Sequence, residues 1–353
     1  MNISEHISLM LIDNGFTNTP NSRTEKIIND ASVLHKTSEE KLIAEQHGIA
    51  DKLFILIKGE AEFTKDHNNQ LYKLATLKGS GIPLGVSGLN PPSRYMADIY
   101  VKANSEYIEI DINKLKDLEN IDSSYASFFY SYLVLQSMKL IWSSRNMEDC
   151  YKEERKTLST GVKTGGEIVN TKRIKDTAFL AFLNEEDLKK LLDYSSIKLF
   201  SANEYITAEG QLSDGINILL KGKVDATFTS IKDKKIEKNT RTIARSGVAL
   251  SLSSGIHETN SPYTIKATRD TTIIKFSNEF IDNLISKDPD LALKFLKREL
   301  WQLGKYIQSS SGLTTYPAKD EAELFNYLLS DNSSRIPVNS KLYNIPHLLK
   351  NHL

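Results

Sequence analysis

Between Lys41 and Ile110 the apolar residues come in short runs: Leu42-Ile43, Leu53 to Ile57, Ala61 to Phe63, Leu71 to Leu77, Ile99 to Val101 and Tyr107 to Ile110. Turn formers such as His67-Asn68-Asn69 break them. Many short runs at close spacing predict a β-sandwich or jelly roll. On either side the period changes. Ile7, Leu9, Met10, Leu11 and Ile12 predict a short amphipathic helix over 4–16, and residues 23–34 predict another. After Ile112 the spacing is helical again, with Tyr125, Phe128, Tyr132, Leu135 and Trp142 on one face. Phe129, Leu133 and Leu140 widen that face, so the β domain or a partner subunit must cover it.

The stretch from Lys156 to Lys172 carries Thr160-Gly161 and Gly165-Gly166 and reads as a hinge. Its glycines lack the Gly-x-x-x-x-Gly-Lys-Ser/Thr spacing of a phosphate loop. Residues 174–195 read helical, with a start at Phe182-Leu183-Asn184-Glu185-Glu186, and β-type runs resume at Ile197.

Those later runs repeat the earlier ones. Lys41-Leu42-Ile43-Ala44 and Leu53 to Ala61 have partners in Glu204-Tyr205-Ile206-Thr207 and Ile216 to Val224. Gly59 maps to Gly222 and Asp51 to Asp214, both offset by 163 positions, and Lys102-Ala103 maps to Lys266-Ala267 at 164. Self-similarity of this kind marks a duplicated unit. The fold expected is mainly β with flanking α: two tandem β-jelly-roll domains, each followed by helices.

Composition agrees and excludes several classes. A chain of 353 residues has room for two domains. Lys+Arg and Asp+Glu each number 45, without the basic excess of a dedicated nucleic-acid binder. Cys150 is the only cysteine, which excludes an internal disulfide and a Cys-rich metal site. It also fits a reducing compartment. Met1 to Phe16 lacks a signal pattern, and no apolar run approaches the roughly eighteen residues of a membrane span. A soluble, cytoplasmic protein is expected. The seven histidines show no metal spacing, and no Gly-x-Ser-x-Gly elbow is present. No catalytic residue, no metal site and no enzyme activity are expected.

The candidate chemistry sits between Leu84 and Ala103. Gly85, Ser87 and Gly88 let the backbone turn sharply and aim N–H groups into one hollow. Pro91-Pro92 stiffens the exit, and Arg94 adds a planar fork of donors suited to phosphate. Together they form an anion cradle.

With these residues in view, the chain resembles the cyclic-nucleotide-binding domain of catabolite-activator-type (Crp/Fnr-like) regulators, kinase regulatory subunits and gated channels. The matching pieces are Glu45 to Asp51, the strand ending in Lys58-Gly59, and Leu84 to Ala103, with Glu209 to Asp214 and the strand ending in Lys221-Gly222 in the second copy. The resemblance implies a phosphate-binding cassette in each jelly roll. In the first copy the ligand-binding residues it implies are Gly85, Val86, Ser87, Gly88, Leu89, Arg94 and Tyr95. Val86 stands where the family has a ribose-binding glutamate, and Tyr95, not a small residue, follows the arginine. In the second copy, Leu250-Ser251-Leu252-Ser253-Ser254-Gly255-Ile256 parallels the cassette. His257 to Thr264 holds no lysine or arginine, and Pro262-Tyr263 takes the place of the phosphate cation. That copy is expected to bind no cyclic nucleotide.

Further on, Asp288-Pro289 reads as a helix cap, and Leu293, Leu296, Leu300, Leu303 and Ile307 form a seam suited to a homodimer. Ala318 to Leu353 resembles the opening of a winged helix that stops before its recognition helix, so nucleic acid is not an expected partner of this chain. The division expected is 1–155, a first cyclic-nucleotide-binding-like domain; 156–172, a linker; 173–310, a second such domain with a dimerisation helix; and 311–353, a helical tail. The function expected is a regulatory sensor whose first copy binds cAMP, cGMP or another cyclic nucleotide, or a related phosphate ligand. The alternatives are a ligand-free assembly scaffold with a protein partner and a truncated catabolite-activator-type transcription regulator.

Overall fold

A computed structural model describes residues 2–16, 19–67, 70–89, 93–143, 156–163, 179–180, 182–213, 215–232, 235–252 and 260–308. The tail 311–353 and the cassette residues 90–92 and 253–259 lie outside the described residues. The chain forms two compact units: Met1–Ser137 with Leu284–Gly304, and Met138–Asn283 with Lys305–Leu353. Among the described residues, no helix is long and apolar enough to cross a membrane.

The first unit opens with α1 (Ile3–Asp13) and α2 (Ser22–Ala31). Asn2 caps α1 reciprocally: its Oδ1 accepts from the Glu5 N–H, and the Glu5 carboxylate accepts from the Asn2 N–H. The expected second helix stops at Ala31, three residues short of 34. Ser32–Lys36 becomes β1 because it pairs along its whole length with β8, from Ser32 opposite Ile110 to Lys36 opposite Glu106. Long-range pairing outweighs local helix preference there.

The remaining strands are β2 (Lys41–Ala44), β3 (Lys52–Lys58), β4 (Glu60–His67), β5 (Gln70–Lys78), β6 (Ile82–Leu84), β7 (Asp98–Val101) and β8 (Glu106–Asp111). They form two antiparallel sheets in the orders β1-β8-β3-β6 and β2-β7-β4-β5. Between them lies a core of Ala44, Ala50, Phe54, Leu56, Leu84, Tyr95, Ile99 and Tyr107.

The helical stretch after Ile112 is two helices, α3 (Ile112–Ile121) and α4 (Ser123–Ser143). Asp122 makes the break: its carboxylate accepts from the Tyr125 N–H at 3.0 Å and from the Thr24 hydroxyl at 2.7 Å, tying α2 to the start of α4. Tyr125, Ser127, Phe129, Tyr130, Tyr132 and Leu133 are all buried, so α4 is covered on every side over 125–133.

The second unit repeats this plan with β9 (Val162–Lys163), α5 (Glu185–Leu192), β10 (Ser195–Phe200), β11 (Tyr205–Thr207), β12 (Gly215–Lys221), β13 (Val224–Lys232), β14 (Lys235–Ile243), β15 (Ala249–Ser251), β16 (Thr264–Ala267) and β17 (Thr271–Ser277). Asn184 caps α5 by accepting from the Asp187 N–H, as the sequence pattern predicts. The sheets run β9-β10-β17-β12-β15 and β11-β16-β13-β14, which is the order of the first unit with β9 added.

One device recurs in detail. Gly59 (φ 98°) and Gly222 (φ 119°) turn the chain from one sheet into the other, between β3 and β4 and between β12 and β13, and a Cβ there would meet the hydroxyl of Ser105 at 2.1 Å or Thr271 at 2.5 Å. Each hydroxyl accepts from the next N–H, that of Glu60 or Lys223. Only glycine fits such a corner.

The ladders also correct the sequence register. Ala61 faces Val101, and Val224 faces Ala267, so Val101 corresponds to Ala267 at an offset of 166. The Lys-Ala match at 164 is a coincidence. The shift is already present across the β4–β5 hairpin, where Ala61 faces Leu77 and Val224 faces Ile243.

After α6 (Phe280–Lys287), α7 (Pro289–Gln308), the last helix among the described residues, begins at the predicted cap, with the Asp288 carboxylate accepting from the Leu291 N–H. Up to Gly304 it is part of the first unit. Lys297 pairs with Glu119 of α3 and lies 5.7 Å from the ring centre of Tyr130 of α4, and Ser127 donates to the Pro289 carbonyl. Leu293, Leu296, Leu300 and Leu303, the seam expected to hold a homodimer, are buried within the chain. The Ile307 side chain lies outside the described residues.

Candidate ligand site

In the first barrel the cassette begins where β6 ends. Gly85 has φ 75°, and Val86–Leu89 follows as one 3-10 turn with Gly88 N–H on the Gly85 carbonyl at 2.9 Å. The leading N–H groups of such a turn have no partner inside it. Gly85 and Gly88 are buried, while Val86, Ser87 and Leu89 are partly exposed.

The far side of the cassette is zipped to the loop before β3. Ile49 and Arg94 form an antiparallel bridge, Tyr95 N–H donates to the Gly48 carbonyl, and His47 N–H donates to the Tyr95 carbonyl. Alternation then sends adjacent side chains to opposite sides. The Arg94 guanidinium stays at the outer lip, where Nη1 donates to the His47 carbonyl at 2.6 Å. Tyr95 goes inward and is 6% exposed. Its ring lies 6.4 Å from Phe54, which packs edge-on to Tyr107 at 5.9 Å. The phenol donates to the Lys52 carbonyl at 2.9 Å. Burial pushes its pKa up to about 12.

A Cβ on Gly85 would stand 3.1 Å from the Tyr95 ring, so the tyrosine occupies the hollow under the turn. The structure thus gathers Gly85, Gly88 and Tyr95, and places the Arg94 guanidinium elsewhere. Sequence reading missed Phe54, Tyr107 and the Lys52 carbonyl as the groups that hold Tyr95. The apolar run around Phe54 was visible, but a backbone acceptor leaves no trace in sequence.

In the second barrel, Leu212 bridges Asn260 as Ile49 bridges Arg94, and Ser261 N–H donates to the Gln211 carbonyl as Tyr95 does to Gly48. Asn260 therefore takes the place of Arg94, and Ser261 that of Tyr95. The expectation that Pro262-Tyr263 stands there is corrected by two or three positions, for the same reason that the Lys-Ala match failed. An amide carries no charge for a phosphate. Apolar residues mark both lips: Ile49 is 72% exposed and Leu212 is 54% exposed.

No family model matches the chain, and no curated protein matches it. Solved structures do. PfPKA-R bound to cAMP is 16% identical, with 95% of this chain and 94% of that one covered at a TM-score of 0.32. The regulatory domain of Toxoplasma gondii PKA co-crystallised with cAMP is 13% identical, over 82% of this chain and 94% of that one, at a TM-score of 0.29. A cyclic nucleotide-binding domain from Methylobacillus flagellatus KT is 12% identical, over 41% of this chain and 82% of that one, at a TM-score of 0.36. Two of these similar structures are regulatory proteins of PKA with cAMP and the third is a cyclic nucleotide-binding domain.

Proposed function

We propose that the chain is a non-enzymatic, cytoplasmic regulatory protein built on two barrels of the cyclic-nucleotide-binding type, the first of which is a fixed assembly unit. Tyr95 carries this reading. It fills the hollow beneath the Gly85 turn, is packed on Phe54 and is held by the Lys52 carbonyl. A close-packed interior leaves no room for a nucleotide unless that ring moves. The unit's work is then to hold helices and engage a protein partner or a second copy through a surface other than the buried seam of α7.

The test is a thermal melt of the full chain with excess cAMP, cGMP and cyclic dinucleotides. A ligand at 100 times its dissociation constant adds about 2.7 kcal/mol, which is several degrees of midpoint. The expected result is no shift that depends on Arg94.

A second reading is favoured by the Gly85 turn and by an arginine on the facing segment. In it, Gly85, Val86, Ser87, Gly88 and Leu89 bind a cyclic nucleotide phosphate through the backbone. Arg94 leaves the His47 carbonyl for the phosphate, and Tyr95 swings aside. With Val86 in place of a glutamate, the ribose hydroxyl loses a charged acceptor. A shift abolished by Arg94→Ala would establish this reading and displace the first.

A further inference from the structure

The second barrel carries a clip on its outside. Residues 156–163 run along it as an extended strap that touches both of its sheets. Leu158 bridges Tyr205 of β11 in parallel, and the Ser159 N–H donates to the Tyr205 carbonyl at 2.9 Å. The Ser159 hydroxyl donates to the Glu204 carboxylate at 2.9 Å. Gly161, at φ 61°, passes so close to β10 that a Cβ would stand 3.0 Å from the Leu199 carbonyl. There β9 pairs Val162 with Leu199 and Lys163 with Lys198. Gln211 ties down the start of the strap by donating to the Lys156 carbonyl at 3.2 Å.

The ladders trace the same lane on the first barrel. Ser32 faces Ile110, which faces Leu53, and Ser195 faces Phe276, which faces Ile216, so β1 matches β10 at an offset of 163. Leu42 faces Tyr100, which faces Glu62, and Tyr205 faces Lys266, which faces Asp225, so β2 matches β11 at the same offset. Both β1 and β2 are the outer strands of their sheets, and among the described residues no strand pairs with their far sides. Where the second barrel sets Tyr205 beside Leu158, the first presents Leu42, 42% exposed. On β1, Val33 is 53% exposed. An uncovered edge with apolar side chains is a template for a further strand.

Charge differs along the lane. Glu204, which accepts from Ser159, is replaced by Lys41, and Leu199 by Lys36. Both lysines are exposed. Lys36 pairs with Glu106 at 3.1 Å, while Lys41 has no ion pair among the described residues. The turn between them brings Glu39 and Glu40, and Glu40 is taken up by Lys102.

We infer that the outer edges of β1 and β2 are the docking site of a protein partner, which supplies a short extended segment with an apolar residue beside Leu42 and a carboxylate beside Lys41. The strap of the second barrel is the pattern for its backbone. The exchange of Glu204 for Lys41 selects an acidic segment, since a cation at the place of Ser159 would meet like charge. This inference rests on the reading of the first barrel as an assembly unit and names the surface that unit uses.

The experiment is fluorescence anisotropy of labelled peptides mixed with the full chain. The probes copy residues 156–163, one with Ser159→Glu and one with Ser159→Lys. The glutamate peptide should bind about threefold or more tightly than the lysine peptide, the size of an exposed charge pair. In the full chain, Lys41→Glu should reverse that order, which damage to the fold would not do. Leu42→Asp, also at an exposed position, should weaken both peptides. No binding of the glutamate peptide at about 1 mM overturns the proposal. So does binding that neither Lys41→Glu nor Leu42→Asp changes. Self-association of the full chain that Leu42→Asp abolishes puts a second copy on this edge and overturns it as well. Failure of the closed first barrel is read separately, as an Arg94-dependent melting shift with cAMP, and peptide binding decides the docking site in either case.

Discussion

Single residues in this chain are held by burial more than by charge. Tyr95 is the clearest case, because one side chain closes a barrel. Its phenol titrates near 12 when folded and near 10.0 when unfolded, owing to burial. Between those values the folded state keeps the proton that the unfolded state loses, so stability is intact below about pH 10 and falls as pH rises toward 12. Tyr125, also pushed to about 12 by burial, adds to the same loss. Alkaline unfolding followed by circular dichroism should begin above pH 10, and Tyr95→Phe should make it shallower. Tyr95→Ala should cost about 3–5 kcal/mol, the usual penalty for removing a buried aromatic ring, read as a lowered urea midpoint. Glu299 behaves with the same sign at lower pH. It is fully buried, both its oxygens lack a hydrogen-bond partner, and burial holds its carboxyl well above the ordinary 4.5. Its contribution is complete below that value and is lost as pH rises toward the folded pKa. Glu299→Gln should therefore flatten the pH profile of stability and raise the melting midpoint at neutral pH.

Elements show where sequence reading succeeds and where it runs out. The short apolar runs mark most strands of the first barrel, since a half-buried strand writes its pattern locally. Asn184 and Asp288 mark helix starts for the same reason. The strand β1 was invisible, because its reason to be a strand is β8, some seventy positions away. The cassette's glycines and Arg94 were legible as a motif, and the inward turn of Tyr95 was not. It depends on a bridge between Ile49 and Arg94 that fixes which neighbour faces in. The repeat itself was legible through Gly59 and Gly222, since a positive-φ corner under a hydroxyl tolerates one residue type. Gly59→Ala and Gly222→Ala should each destabilise by about 2 kcal/mol or more, measured by urea unfolding of the full chain. Equal effects at the two sites would reflect one inherited device. An effect below about 0.5 kcal/mol at either would show that the corner relaxes.

At the scale of the molecule, the repeat and its composition predict two barrels, and the strand orders agree in both. The final helix is the part that no local pattern could place. Its leucine seam reads equally well as a dimer contact and as an internal one, and the choice lies in Glu119, Tyr130 and Ser127, far off in sequence. Lys297→Met should leave the Glu119 carboxylate, 12% exposed, without its cation and with only the Tyr130 hydroxyl as donor, and cost about 3 kcal/mol, detectable as a lowered melting midpoint.

A unit that takes its last helix from beyond the second barrel is discontinuous in the chain. During synthesis, residues 1–137 emerge long before Leu284–Gly304, so the first barrel must wait, with its α3–α4 surface uncovered, until nearly the whole second unit has been made. The order of translation is thereby opposite to the order of completion. Cutting the gene between the two barrels would yield a first half that lacks a piece of its own core.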